Sequence, residues 1–328
     1  MNIAYFGSPK IAADLLQYLI KQSGSDYKIA CVFTIKDKRA GKRLELTQTE
    51  VKKLALKEGI TVYDFDLKNN QNEVISLLKK HKIDLGLVFA YGALIPDDIL
   101  KSTIYGFWNI HPSLLPKYRG PSPIIYPLIL GDQETGTSII KMTDKIDSGP
   151  VLSQQKISIK SEETRFELEK CLIELSYARL KDLLAKLVDH EKIELTPQDE
   201  NKATQTRLIN KEDGFISKEL IQKALNNENF SLEELPILVR EYRKTYLELD
   251  KTGSFSASIT LNNYFRGLLP WPGIWTTVIT KKGSKRLKIN SLRISERETF
   301  EIDQVQLEGK KPVSFKIFNN AYNIFNGL

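Results

Sequence analysis

The chain has 328 residues, 48 Lys+Arg against 41 Asp+Glu, 41% hydrophobic residues and two cysteines. At roughly 100–200 residues per domain this length implies two compact domains, not a lone small module, and the apolar content supports packed cores, not a disordered chain. No stretch approaches the ~20 apolar residues of a membrane span. Met1-Asn2 runs straight into apolar residues without the charged, apolar and small-residue regions of a signal peptide, so export is not expected. Cys31 and Cys171 are far apart and fit a reducing cytoplasm, both as small buried hydrophobes.

In chain order, Asn2-Ile-Ala-Tyr-Phe-Gly7 predicts a short buried strand ending in a glycine turn, and 11–20 carries apolar residues at helical spacing. A second buried strand is predicted over 29–34. A helical pattern over 51–58 precedes a strand at 61–63, and another over 73–81 precedes a strand at 85–89. Phe107-Trp-Asn-Ile-His111 reads as the next strand. Strands alternating with helices predict an α/β domain with a mostly parallel sheet covered on both faces. Ligands of such sheets sit beyond the carboxyl ends of the strands, where segments 7–10 and 109–116 fall. One long helix is predicted over 164–187, and 192–206 is polar without a strong period, as in a linker. From about Thr252 short strand-like runs dominate, at 255–261, 275–280, 287–292, 305–307 and 313–317, which predicts a small barrel or sandwich.

Several chemistries lack their signatures. Phe6-Gly-Ser-Pro9 has none of the three-glycine dinucleotide fingerprint, and no phosphate-binding P-loop, His-Glu-x-x-His or Cys-x-x-Cys occurs. Of the three histidines, His81 and His190 fall at polar helix ends and read as solvated caps. His111 closes an apolar strand, and two-residue alternation puts Asn109 on its face. Such a pair either offers a hydrogen-bond donor beside a titratable group or simply stabilises the turn. In Asp144-Lys-Ile-Asp-Ser-Gly149, Asp147 or Asp144 can accept a hydrogen bond from His111 and orient it, or serve as an ordinary turn aspartate.

The formal charge is +7, and from Tyr264 onward there are 11 Lys/Arg against 5 Asp/Glu, so most of the surplus lies in the last fifth of the chain. A second basic cluster, Lys36-Asp-Lys-Arg-Ala-Gly-Lys-Arg43, follows the second strand. Taken alone each cluster reads as a solvated loop. Together with Lys281-Lys-Gly-Ser-Lys-Arg-Leu-Lys288 it makes a composite nucleic-acid surface on two domains.

Phe89-Ala-Tyr-Gly-Ala-Leu-Ile-Pro96, Asn109-Ile-His-Pro-Ser-Leu-Leu-Pro-Lys-Tyr-Arg-Gly-Pro-Ser-Pro-Ile124, Gly131-Asp-Gln-Glu-Thr-Gly136 and Ile146-Asp-Ser-Gly149 together resemble the folate-dependent formyltransferases. Residues 34–52, Trp271-Pro-Gly-Ile-Trp275 and Leu307-Glu-Gly-Lys-Lys-Pro312 resemble the members of that family that act on tRNA. The resemblance covers nearly the whole chain.

It implies a formyltransferase-type Rossmann-like α/β domain over 1–190, a linker over 191–213 and a C-terminal OB-like β-barrel domain over 214–328 that binds tRNA. An apparent insertion at about 226–258, with a helix predicted over 232–249, has no functional counterpart in the family pattern. The implied reaction moves a formyl group from 10-formyltetrahydrofolate to the α-amine of methionyl initiator tRNA, without a metal. Asn109, His111 and Asp147 are the implied catalytic residues. Ser113, Leu114, Leu115, Pro116, Phe89, Ala90, Tyr91, Ile140 and Asp144 are implied to line the folate site. Lys38, Arg39, Lys42 and Arg43 are implied to meet the acceptor stem, and Lys281, Lys282, Lys285 and Arg286 its backbone. Lys42 stands where the family commonly has an arginine. The protein is expected to act as a cytoplasmic monomer, away from membranes. The alternatives are a formyltransferase acting on an amino-sugar nucleotide or other small amine, a formyltetrahydrofolate hydrolase, and an inactive RNA-binding protein.

Overall fold

The computed structural model describes residues 1–24, 26–40, 45–247, 253–295 and 299–325. They divide into two compact units: Met1–Gly120 with Thr135–Ile157 and Glu169–Gln205, and Pro121–Glu134 with Ser158–Leu168 and Thr206–Leu328.

The first unit is built on a seven-stranded sheet in the order Thr61–Tyr63, Lys28–Phe33, Asn2–Gly7, Leu85–Phe89, Phe107–His111, Glu134–Lys141, Val151–Ser158. The first five strands are parallel, and Glu134–Lys141 runs antiparallel to Phe107–His111. Residues 3–7 and 85–89 are buried and apolar throughout because helices cover both faces of a parallel sheet. Alternation sends Ile3 and Tyr5 to one core, with Leu15, Leu16, Leu19 and Leu180, and Ala4 and Phe6 to the other, with Phe33, Val74, Leu78 and Phe107. Phe6 lies flat on Phe33 at 4.5 Å between ring centres and edge-on to Phe107 at 5.2 Å. Each such fully buried side chain contributes about 1.5–3 kcal/mol.

Chain order reverses between Asn2–Gly7 and Leu85–Phe89, which makes the crevice beyond their carboxyl ends the switch point of the sheet. The Ser8 hydroxyl crosses it, donating to the Tyr91 carbonyl at 2.7 Å. Cys31 is fully buried, and burial pushes its thiol up to about 12. Cys171 departs from expectation. It is exposed on helix Arg165–Val188, one position off the stripe formed by buried Leu168 and Leu172. His81 caps helix Gln71–Lys80, and its Nε2 pairs with the Tyr63 hydroxyl at 2.8 Å.

The second unit carries an OB-like antiparallel sheet of four strands, Ile274–Thr280, Gly283–Ile294, Phe300–Leu307 and Val313–Ser314, in that order. Ile274, Thr276, Val278, Leu287, Ile289, Val305 and Leu307 are buried on one face. Two of the strand-like runs are chiefly helical instead. Only Phe255–Ser256 is extended before helix Ala257–Leu268, and only Val313–Ser314 before helix Phe315–Tyr322. The reason is capping: Ser256 accepts from the Ile259 N–H and Ser314 from the Ile317 N–H. Buried Ala257, Leu261, Tyr264, Phe265 and Leu268 then recur at helical spacing. The predicted helix over 232–249 is also shortened. A 3-10 turn, Leu232–Glu234, ends before Pro236, and the α-helix is Ile237–Tyr246; residues 248 and 249 lie outside the described set. Tyr242 of that helix packs on Tyr126 at 5.6 Å between ring centres, and Glu241 pairs with Arg207 at 3.0 Å.

Candidate active site

Strand Phe107–His111 presents Asn109 and His111 to the loop that joins Glu134–Lys141 to Val151–Ser158. Asn109 Nδ2 donates to Asp147 Oδ1 at 3.1 Å, and His111 Nδ1 faces Asp147 Oδ2 at 3.5 Å. The Gly120 N–H donates to the same Oδ2 at 2.7 Å. His111 is buried, and its Nε2 meets the Tyr118 carbonyl at 2.9 Å. Both ring nitrogens therefore face oxygens. Of the two candidate aspartates, the structure brings Asp147 to His111 and leaves Asp144 exposed on the loop.

The turn residues earn their places by backbone shape. Tyr118, Gly120 and Asp147 have φ of 63°, 101° and 50°, the left-handed region that costs most side chains free energy. A Cβ on Gly149 would stand 1.8 Å from the Lys141 carbonyl oxygen, so a side chain there would push the Asp147 loop off the strand.

The residues expected around the folate divide by accessibility. Phe89, Tyr91, Leu115, Ile140 and Ser113 are buried; Leu114 and Pro116 are half-buried; Ala90 and Asp144 are exposed. Ser113 donates its hydroxyl to the Lys117 carbonyl at 2.7 Å, so it shapes the turn. Leu115 is held by Ser138 Oγ at its N–H and by Gln154 Nε2 at its carbonyl. Burial raises the Tyr91 hydroxyl pKa above its usual value. What this set leaves at the surface is Ala90, part of Leu114 and Pro116, and the Asp144 carboxylate. Ala90 makes a left-handed bend at the switch point, with φ 47°. Those groups suit a flat heterocycle that exchanges hydrogen bonds with main chain.

Sequence reasoning missed the outer layer of this site. Gln198 Nε2 donates to the carbonyls of Asp147 and Gly149 at 2.8 and 2.7 Å, and its Oε1 accepts from Arg119. Arg119 is buried and forks onto Glu200 at 2.8 and 2.7 Å, holding that carboxyl below its ordinary range. Arg119 lay within the quoted motif, but Gln198 fell in a polar stretch read as linker.

Of the basic residues, Lys38 and Arg39 are exposed on strand Lys38–Ala40, which pairs with Glu45–Thr47; Lys42 and Arg43 lie outside the described residues. Lys52, at the far end of the same segment, is held by Asp37 and Asp64 at 2.8 and 2.9 Å. In the second unit Lys281 and Lys282 form the turn of a hairpin, whereas Lys285 and Arg286 line a groove of about 550 Å³ on the sheet. Lys288, at the end of the same cluster, and Lys211, missed in the sequence, line it too, as does Trp275, whose ring lies 4.1 Å under the Arg286 guanidinium. Register puts Trp275, Thr277, Arg286 and Lys288 together: Trp275 pairs with Lys288 and Thr277 with Arg286, on the face opposite the buried positions.

Residues 1–183 match the formyl transferase family. The chain belongs to that family. Along its full length it is 31% identical to a methionyl-tRNA formyltransferase of Caldicellulosiruptor saccharolyticus, covering 99% of that protein. Its fold is shared with a 4-N formyltransferase from Francisella tularensis, at TM-score 0.56 and 16% identity over 94% of this chain and 98% of the other. A sugar 3N-formyl transferase solved with dTDP and 5-N-formyl-THF aligns at TM-score 0.53 and 16% identity, over 95% and 99%. No described helix is long and apolar enough to cross a membrane.

Proposed function

We infer that this protein transfers the formyl group of 10-formyltetrahydrofolate to the α-amine of methionyl initiator tRNA. The observation that carries the reading is the joint placement of Asn109 and His111 against one carboxylate, Asp147, at 3.1 and 3.5 Å. The folate supplies an activated formyl group on N10. The neutral amine attacks its carbon, the carbonyl π pair moves onto oxygen, and collapse breaks the bond to N10. Asn109 Nδ2–H and the His111 imidazolium donate to that oxygen as its charge develops, which calls for each to turn partly from its resting partner. Asp147 orients the imidazole, takes the proton that the amine loses, directly or through water, and passes it on to N10 as the bond from carbon to N10 breaks. Ala90, Leu114, Pro116, Asp144 and the backbone of Phe89 to Tyr91 and Ile140 fit the pterin.

The acceptor is supported by the full-length relative and by the charge of the second unit. Lys38, Arg39, Lys42 and Arg43 would meet the acceptor end. Lys281, Lys282, Lys285 and Arg286 would hold phosphates, positioning the tRNA without reading sequence. Work on initiator tRNA sets the protein in the cytoplasm, and one chain carries every residue invoked, which supports action as a monomer.

Radiolabelled 10-formyltetrahydrofolate, offered with methionyl initiator tRNA, uncharged tRNA or amino-sugar nucleotides, tests this. Label is expected on methionyl-tRNA. Label on a sugar nucleotide and never on methionyl-tRNA would reject the acceptor; an inert donor with tight RNA binding would reject the enzyme.

A further inference from the structure

Two backbone segments 27 residues apart converge on His111 and Asp147. The turn Tyr118 to Gly120 gives a carbonyl to His111 and an N–H to Asp147; the 147–149 loop carries the carboxylate itself. Both segments pass through left-handed residues, Tyr118 and Asp147, a conformation that persists only where surrounding structure imposes it. One unbroken chain of hydrogen bonds imposes it on both. Gln198 Nε2 ties together the carbonyls on either side of Ser148, and Gln198 Oε1 accepts two N–H groups of Arg119 at 3.1 and 2.8 Å. Arg119 is the middle residue of the turn. Its Nη1 and Nη2 also donate to Glu200, its backbone N–H donates to the Thr204 carbonyl at 2.9 Å, and the Tyr118 N–H donates to Thr204 Oγ1 at 2.9 Å.

We propose that Gln198 and Arg119 are positioning residues, a clamp that fixes the Asp147 carboxylate relative to His111 and Asn109 without touching substrate. The proposal rests on the catalytic reading of those three residues. A primary amide is the one side chain of that size that donates to two carbonyls while accepting from a guanidinium, and a planar fork is what lets Arg119 reach Gln198 and Glu200 together. The carboxylate has to be held to a fraction of an ångström for the donors to match the developing oxyanion, and displacement by about 1 Å costs on the order of 10²-fold in rate.

Gln198→Glu keeps the acceptor for Arg119 and removes the two donations to the Asp147 loop; Arg119→Lys keeps the charge opposite Glu200 and removes the fork. Both are assayed for formyl transfer to methionyl-tRNA beside wild type and Asp147→Asn, with thermal unfolding in parallel. The expected result is a kcat lower by about 10–100-fold, with KM for both substrates within about twofold of wild type and little change in melting temperature. Unchanged kcat in Gln198→Glu would overturn the clamp, as would a loss in which both KM values and the melting temperature move together. Wild-type turnover in Asp147→Asn would instead strike at the catalytic reading beneath it.

Discussion

Oδ2 of Asp147 stands 3.5 Å from His111 Nδ1 and only 2.7 Å from the Gly120 N–H. The carboxylate is thus anchored by main chain, and its contact with the imidazole is at the outer limit of a hydrogen bond, free to tighten when a substrate closes the site. Asp147→Asn keeps the shape and removes the charge. Turnover should fall by about 10²–10³-fold or more, with the fold intact, as read by steady-state formylation and circular dichroism. Retained turnover would dismiss Asp147 from the chemistry.

Asn109→Ala removes a donor that rests on Asp147 at 3.1 Å. If Asn109 serves the oxyanion, kcat falls by about 10²–10³-fold while KM for the folate donor barely moves. A rise in KM with unchanged kcat would make Asn109 a ground-state binding group instead.

Arg286→Ala and Trp275→Ala take apart the cation–π pair that floors the basic groove of the sheet. KM for methionyl-tRNA should rise in both, and KM for folate in neither. The slope of log affinity against log salt should shrink by about one in Arg286→Ala and stay put in Trp275→Ala, since only the first loses a phosphate partner. An unaltered salt slope in Arg286→Ala would take the RNA backbone off this face.

Tyr264 is fully buried and donates to the Asp213 carbonyl at 2.7 Å. Tyr264→Phe leaves that hydrogen bond unmade, and the second unit should lose about 1–1.5 kcal/mol in chemical denaturation without change in kcat. Neutral stability would mean the Asp213 carbonyl finds another donor.

The two cysteines should react very differently. Cys31, enclosed and with its thiol pushed up to about 12, stays protonated at pH 8 and resists iodoacetamide in the native protein. Cys171 is exposed and should be labelled first, as peptide mapping would report. Labelling of Cys31 ahead of Cys171 would show that the first unit opens.

The strands of the parallel sheet within 1–89 and the helices between them were legible because each announces itself within a few residues, by apolar runs or by 3.6-residue spacing, and the family motifs added the proposed catalytic trio; the strand pair Lys38–Ala40 and Glu45–Thr47, in a segment read as a basic loop, was not. The same logic misread 255–261 and 313–317, where alternation looked like strand and a single serine cap turned the chain into helix. Local pattern also could not choose between Asp144 and Asp147, three residues apart on one loop.

The amino-acid sequence by itself determined the alternating α/β architecture, the shared face of Asn109 and His111, and the surplus of basic charge after Tyr264. Only the tertiary structure decided how Asp147 meets the histidine, that Lys211 and Lys288 join Arg286 in one groove, and that Gln198, in a segment of no visible pattern, grips the Asp147 loop from 51 residues away. Periodicity is written into the chain at the spacing of neighbouring side chains. A hydrogen bond between distant residues exists only after packing has fixed both backbones to within a few tenths of an ångström, and that precision belongs to the whole fold.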